Sequence, residues 1–167
     1  MRRVVVLVVL IMMVPCLAVQ AHTPNIITVI IKEDRPYPDN IPETTGFVEE
    51  DGVWFRMMDS TNNTTLRVSI DIDGDGYFNE SLDYFSPWMV FDCAYDENGT
   101  LLDSGCVESD VFYFNGTNGS GIYDYQVERM FNGSHVNFSI NTIFVGMDDH
   151  SEDGLPSIGD CFGAGCE

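Results

Sequence analysis

Three aspartates at alternate positions, Asp71, Asp73 and Asp75, followed at once by Gly76, are the densest chemical feature of this chain. Carboxylates spaced in this way can wrap a hard divalent cation, and the glycine permits the sharp turn that wrapping demands. The D-x-D-x-D-G order is the first half of a calcium loop. Continuing the count, Tyr77 stands where a backbone carbonyl ligates and Asn79 where an oxygen ligand or a bridging water is usual. The twelfth position, which calls for a bidentate glutamate, is Leu82, so Glu80 or Asp83 must supply the last carboxylate. The expected ligand set is Asp71, Asp73, Asp75, Tyr77, Asn79 and Asp83, and the expected ion is calcium. Its role would be structural, neutralising crowded carboxylates and steadying a long loop. The alternative is a solvated Asp-Gly turn that binds nothing specifically.

The element feeding this loop reads as a strand. Leu66, Val68, Ile70 and Ile72 fall on one side and Arg67, Ser69 and Asp71 on the other, the period-2 pattern of a half-buried strand. A helix would be needed for an EF-hand, so the pattern points instead to a calcium loop inserted in an extracellular β-domain. Upstream, residues 25–32 (NIITVIIK) are rich in β-branched side chains and predict a strand, followed by a Pro-rich extended connector over 35–42. Residues 46–50 and 53–58 predict a strand pair around an Asp51-Gly52 hairpin turn. Residues 88–95, 107–114, 121–130 and 134–145 predict four more strands. About eight strands with turn signals every ten or so residues, and no amphipathic helix, imply an all-β antiparallel sandwich in one domain. From residue 147 the chain is acidic and Gly-rich, the pattern of a C-terminal tail.

The N-terminus carries an address. Arg2 and Arg3 precede an apolar run over 4–14, and Val19-Gln20-Ala21 suits signal-peptidase cleavage, so residues 1–21 read as a signal peptide. A retained membrane anchor and a lipidated Cys16 are the alternatives, and membrane contact is expected only through a retained leader. Without the leader, 27 acidic residues face five basic ones, a net charge of −22 in place of −20. Such a balance argues against a nucleic-acid partner and suits a salty or divalent-rich medium. Cys93, Cys106, Cys161 and Cys166 then remain, an even number that favours disulfides in an extracytoplasmic chain. Local spacing pairs Cys93 with Cys106 around Asn98-Gly99, and Cys161 with Cys166, among three connectivities that four cysteines allow. Glycosylation sequons begin at Asn62, Asn63, Asn79, Asn98, Asn115, Asn118, Asn132 and Asn137. With the leader and the disulfides they imply a glycosylated protein, extracellular or at the cell surface, although Asn-Gly-Ser/Thr is also ordinary turn chemistry.

The order of elements resembles the cupredoxins, the plastocyanin- and azurin-like β-sandwiches. The resemblance runs through NIITVII, GVWFRM, NNTTLRVSI, VFYFNGTNGSGIYDYQ and INTIFV, and is nearest to secreted cupredoxin-like proteins of marine archaea that also carry Asp-Gly loops and acidic tails. It implies a Greek-key sandwich over 22–146, ahead of the tail over 147–167. It does not extend to blue copper. Leu66 occupies the place of the first histidine, Val127 that of the cysteine, Met130 that of the second histidine, and the methionine falls near His135. No cysteine lies between Cys106 and Cys161 to rescue the alignment.

Three function classes follow. The first is a non-catalytic binding or structural module, calcium-stabilised, whose partner is a cell-surface protein or a glycan. The second is a copper-binding protein: cleavage after Ala21 exposes His22, whose amine and imidazole can chelate copper with Asp148 and His150 or with His135. The third is an extracellular hydrolase whose site carries no motif, since no G-x-S-x-G elbow is present. Trp54 and Trp88 are candidates for a carbohydrate platform, against the commoner role of strand aromatics as core.

Overall fold

A computed structural model describes residues 23–147 except 117, 138 and 139. The chain is an all-β sandwich of two sheets. The first sheet runs in the order β2 (Pro36–Tyr37), β1 (Ile26–Ile31), β3 (Gly52–Met57), β6 (Ser109–Tyr113). The second runs β5 (Tyr84–Phe85), β4 (Thr64–Ile70), β7 (Gly121–Phe131), with β8 (Ser134–Asn137) and β9 (Asn141–Val145) both paired to β7. The links β3–β4 and β6–β7 each cross from one sheet to the other, placing β3 beside β6 and β4 beside β7.

Period-2 alternation decides what each strand buries. Val29, Ile31, Val53, Phe55 and Met57 point inward from the first sheet, and Leu66, Val68, Ile70, Tyr125, Val127 and Ile143 from the second. Aromatic rings fill one end of the core. Phe114 packs edge-on against Phe47 at 5.6 Å and Phe112 at 5.0 Å, and tilts against Tyr123 at 4.9 Å. Such offset contacts add to the burial of large rings. Tyr125 is fully buried, and its hydroxyl donates to the Asp39 carbonyl at 2.7 Å, which ties the Pro-rich connector to the core. Burial, and then the Asp39 charge, push that phenol above its ordinary range.

Three expectations are corrected. Asp51-Gly52 is not a hairpin turn: β3 begins at Gly52, lies parallel to β1 and antiparallel to β6, and residues 46–50 form no strand. The reason is Asp51, whose buried carboxylate accepts the N–H of Asn25 at 2.7 Å and of Val48 at 2.9 Å. The first bond ties the residue before β1 to the start of β3; the second, with the Asp51 N–H donating to the Val48 carbonyl at 3.1 Å, closes a turn over 48–51 that ends at Asp51 instead of centring on Asp51-Gly52. Residues 88–95 are not a strand but a connection, which pairs with β4 at the isolated Leu66–Met89 bridge. Residues 134–145 are two strands rather than one, because β7 is long enough at 11 residues to pair with β9 along its first half and β8 along its second.

The Cys93–Cys106 disulfide expected from spacing is present, closing a loop of sequence separation 13. Inside it, Tyr95 bridges Leu101 and the Gly99 N–H donates to the Asp96 carbonyl, so the turn does centre on Asn98-Gly99. By loop entropy a cross-link of this length contributes about 3 kcal/mol. Cys161 and Cys166 lie outside the described residues, as do the expected signal peptide over 1–21 and all but the first residue of the expected tail over 147–167.

Candidate metal centre

The acidic loop joins β4 to β5, adjacent antiparallel strands in which Ser69 faces Phe85 and Ile70 faces Tyr84. Both ends of residues 71–83 are therefore pinned to one sheet edge. Asp71, the first loop residue, is buried, and its two carboxylate oxygens accept the N–H groups of Gly74 at 2.7 Å and Gly76 at 2.8 Å. Gly76 has φ +81, a left-handed conformation that a side chain would strain, so glycine is what lets its N–H turn back to Asp71. At the other end Asp83 accepts the N–H of Ile72 at 2.8 Å and of Asn79 at 2.7 Å, one on each oxygen. The loop is built around two carboxylates that clamp its backbone.

This clamping brings three acids together. One carboxylate oxygen from each of Asp71, Asp73 and Asp83 lies within 4.8 Å of the others, with Asp71 buried, Asp73 exposed and Asp83 half-buried. Of the other expected ligands, Asp75 turns its carboxylate to the Tyr77 N–H at 2.8 Å, and the Asn79 side-chain oxygen accepts the Ser81 N–H at 3.0 Å. Between the two candidates for the closing carboxylate, the structure brings in Asp83. Glu80 is drawn away by Arg67, whose guanidinium donates to it at 2.7 Å.

Electrostatics of the cluster follow from crowding. The Asp75 N–H, at 3.2 Å, pulls the Asp73 carboxyl down, but desolvation and the charges of Asp75, Asp83 and Asp71 together outweigh it and hold the group above its usual range. A cation among these oxygens would reverse that repulsion. The donors are all hard oxygens, which suit calcium or magnesium rather than copper or zinc. An ionised carboxylate oxygen has about two lone-pair sites. Each clamping oxygen of Asp71 and Asp83 uses one on a backbone amide, so one stays available to a metal.

The copper residues are not assembled within the described part of the chain. His22, Asp148 and His150 lie outside it. His135 stands exposed on β8, directly opposite Met130 and edge-on to the Trp88 ring at 5.9 Å. Leu66 and Val127, at the places of two blue-copper ligands, are fully buried members of the apolar core.

The sequons sit on connections or at strand ends. Asn62 and Asn63 lie just before β4, Asn79 in the acidic loop, Asn98 inside the disulfide loop, Asn115 and Asn118 between β6 and β7, Asn132 in the β7–β8 turn, and Asn137 at the end of β8. Asn63 and Asn132 adopt φ +58 and +48, which asparagine tolerates better than most side chains, so turn geometry alone accounts for these two.

Sequence reasoning missed one polar feature of the core. Asp59, following β3, accepts a hydrogen bond from Arg129 of β7 at 2.8 Å, and both side chains are withdrawn from water. Burial pushes the Asp59 carboxyl upward, but hydrogen bonds from Thr61 and Arg129 outweigh it and hold the group below its usual range. An arginine at an inward position of the β7 alternation was the available signal. No family model matches this chain, and no curated protein matches it.

Proposed function

We propose that this chain is a secreted or cell-surface module that binds or supports rather than catalyses, and that the β4–β5 loop takes a calcium ion. The observation that carries this reading is the convergence of Asp71, Asp73 and Asp83 within 4.8 Å at the closed end of one hairpin. Three carboxylates leave further positions to backbone carbonyls and water, which suits the weak calcium sites of extracellular modules, with Kd of roughly 0.1–1 mM. The Cys93–Cys106 disulfide is in keeping with an oxidising compartment. The two sheet-crossing links favour a cupredoxin-like Greek key, here without type 1 copper, since non-consecutive neighbours of this kind are what that topology requires.

Calcium titration of the domain carrying its natural mature N-terminus tests the proposal. Stabilisation of roughly 2.7 kcal/mol is expected at calcium a hundredfold above Kd. Asp73→Asn should abolish it with little change in the calcium-free protein, because Asp73 supports only one long backbone contact within the loop. A calcium-independent melting temperature in the parent would end this reading of the loop.

A further inference from the structure

The outward face of the first sheet differs in charge from the rest of the molecule. Its strand positions are Tyr37 on β2, Ile26, Thr28 and Ile30 on β1, Gly52, Trp54 and Arg56 on β3, and Ser109, Val111 and Tyr113 on β6. Not one is acidic, in a chain with 27 acidic residues. Three of the five basic residues that follow the leader border or occupy this face. Arg56 lies over the Trp54 ring at 5.7 Å, and Lys32 and Arg35 each lie 4.8 Å from the Tyr37 ring centre. Arg35 is neutralised by Asp34 at 3.7 Å, whereas among the described residues Lys32 and Arg56 have no ion pair.

The face is also flat and aromatic. The Tyr113 ring lies across Gly52 so closely that a Cβ there would sit 2.9 Å from its Cδ1 and Cε1. Only glycine allows the ring to lie down in this way. Tyr113 remains 42% exposed, Ile26 45% and Ile30 37%. None of the eight sequons falls on these positions.

From this we infer that the outer face of the β2-β1-β3-β6 sheet is a binding surface for an anionic polysaccharide. Sugar rings present C–H faces that pack on flat aromatics, here Tyr113 and Trp54. Their hydroxyls meet Thr28 and Ser109, and a carboxylate or sulfate meets Arg56 and Lys32. A second copy of the chain fits less well: isologous pairing would bring like cations together and oppose two strongly acidic molecules. The inference rests on the reading of the chain as a binding module but not on the loop's affinity for calcium.

Affinity electrophoresis of the domain through gels containing dextran sulfate, polygalacturonate or dextran tests it, with calcium and with EDTA in parallel. Retention by dextran sulfate or polygalacturonate, absent with neutral dextran and weakening with salt, is expected in the calcium arm. Which polymer retains the protein identifies the anion. Trp54→Ala and the surface variant Arg56→Glu should each weaken retention by about tenfold or more, while Ile122→Ser on the opposite sheet leaves it unchanged. Equal retention by dextran, or unchanged retention of folded Arg56→Glu, overturns the inference. Sedimentation showing a dimer that Trp54→Ala dissociates, with no polymer retention, overturns it too and assigns the face to a second copy. The EDTA arm reports separately on the loop, so loss there alone leaves the face assigned and shows that calcium supports the fold.

Discussion

The outer faces of the two sheets treat their cations in opposite ways. On the second sheet, Arg67 lies between the Phe85 ring at 4.7 Å and the Trp88 ring at 4.8 Å, and donates to Glu128 at 2.8 Å and Glu80 at 2.7 Å. Burial works against its charge, yet the two glutamates outweigh that and raise its pKa further. Glu128 stands directly opposite Arg67 in the β4–β7 register, so this ion pair is written into the strand pairing. Among the described residues the first sheet has no counterpart. Arg56 faces Ser109 on one side and Ile30 on the other, with only Trp54 beneath it. A cation held by two carboxylates and two rings is part of the architecture, whereas one left on an aromatic floor is available to a ligand.

The contrast can be broken most forcefully at Arg129, a cation that the second sheet sends into the core. Arg129→Met leaves Asp59 buried without its partner and should cost about 3–5 kcal/mol, read as a drop in the denaturant midpoint. The sign of its pH dependence is also set. In the parent the Asp59 carboxyl is depressed, so its stabilisation is complete above the ordinary value near pH 3.8 and is lost as pH falls through the lower folded value. In the variant the carboxyl keeps its Thr61 hydrogen bonds but loses the Arg129 hydrogen bond and charge, so its pKa lies above the parent's and protonation costs the fold less. The stability gap between parent and variant should therefore narrow from pH 7 to pH 3, and a gap that widens would contradict this account.

A smaller effect is expected at Arg67. Arg67→Ala removes the stacked guanidinium and leaves Glu128 and Glu80 to repel, which should cost about 1–2 kcal/mol. Because Glu80 is then released beside the acidic loop, calcium affinity should rise modestly rather than fall. A calorimetric titration showing weaker calcium binding would mean that the Arg67–Glu80 pair positions the loop. The smallest change belongs to the first sheet. Arg56→Ala should alter stability by no more than about 0.5 kcal/mol, as for an exposed side chain without an ion pair. A loss comparable to that of Arg67→Ala would erase the distinction between the faces.

Much of the fold could be read from alternation and β-branched composition. Residues 64–70 and 121–131 alternate over most of their length and 26–31 is rich in β-branched side chains, and each is a strand in the structure. Alternation also sorts Trp54 and Arg56 onto one face and Phe55 onto the other. It does not say which face belongs to which sheet, so the acid-free character of the first sheet became visible only once β1, β3 and β6 were neighbours. The Asp51-Gly52 reading failed for a related reason. That dipeptide is turn-forming by local chemistry, but the Asp51 carboxylate is held by the amide of Asn25, 26 residues away, and the local turn forms earlier, over 48–51.

By itself the sequence determined much of the strand periodicity, the short spacing that favours a Cys93–Cys106 bridge and the acidic character of the 71–83 loop. These are local properties, set by side-chain alternation, by a separation of 13 residues and by composition. The tertiary structure alone decided that Asp83 rather than Glu80 closes the carboxylate cluster. Glu80 is committed to Arg67 on the face of β4, while Asp83 is held by the Ile72 and Asn79 amides. Competition among partners that are distant along the chain is settled by geometry, and no local pattern records its outcome.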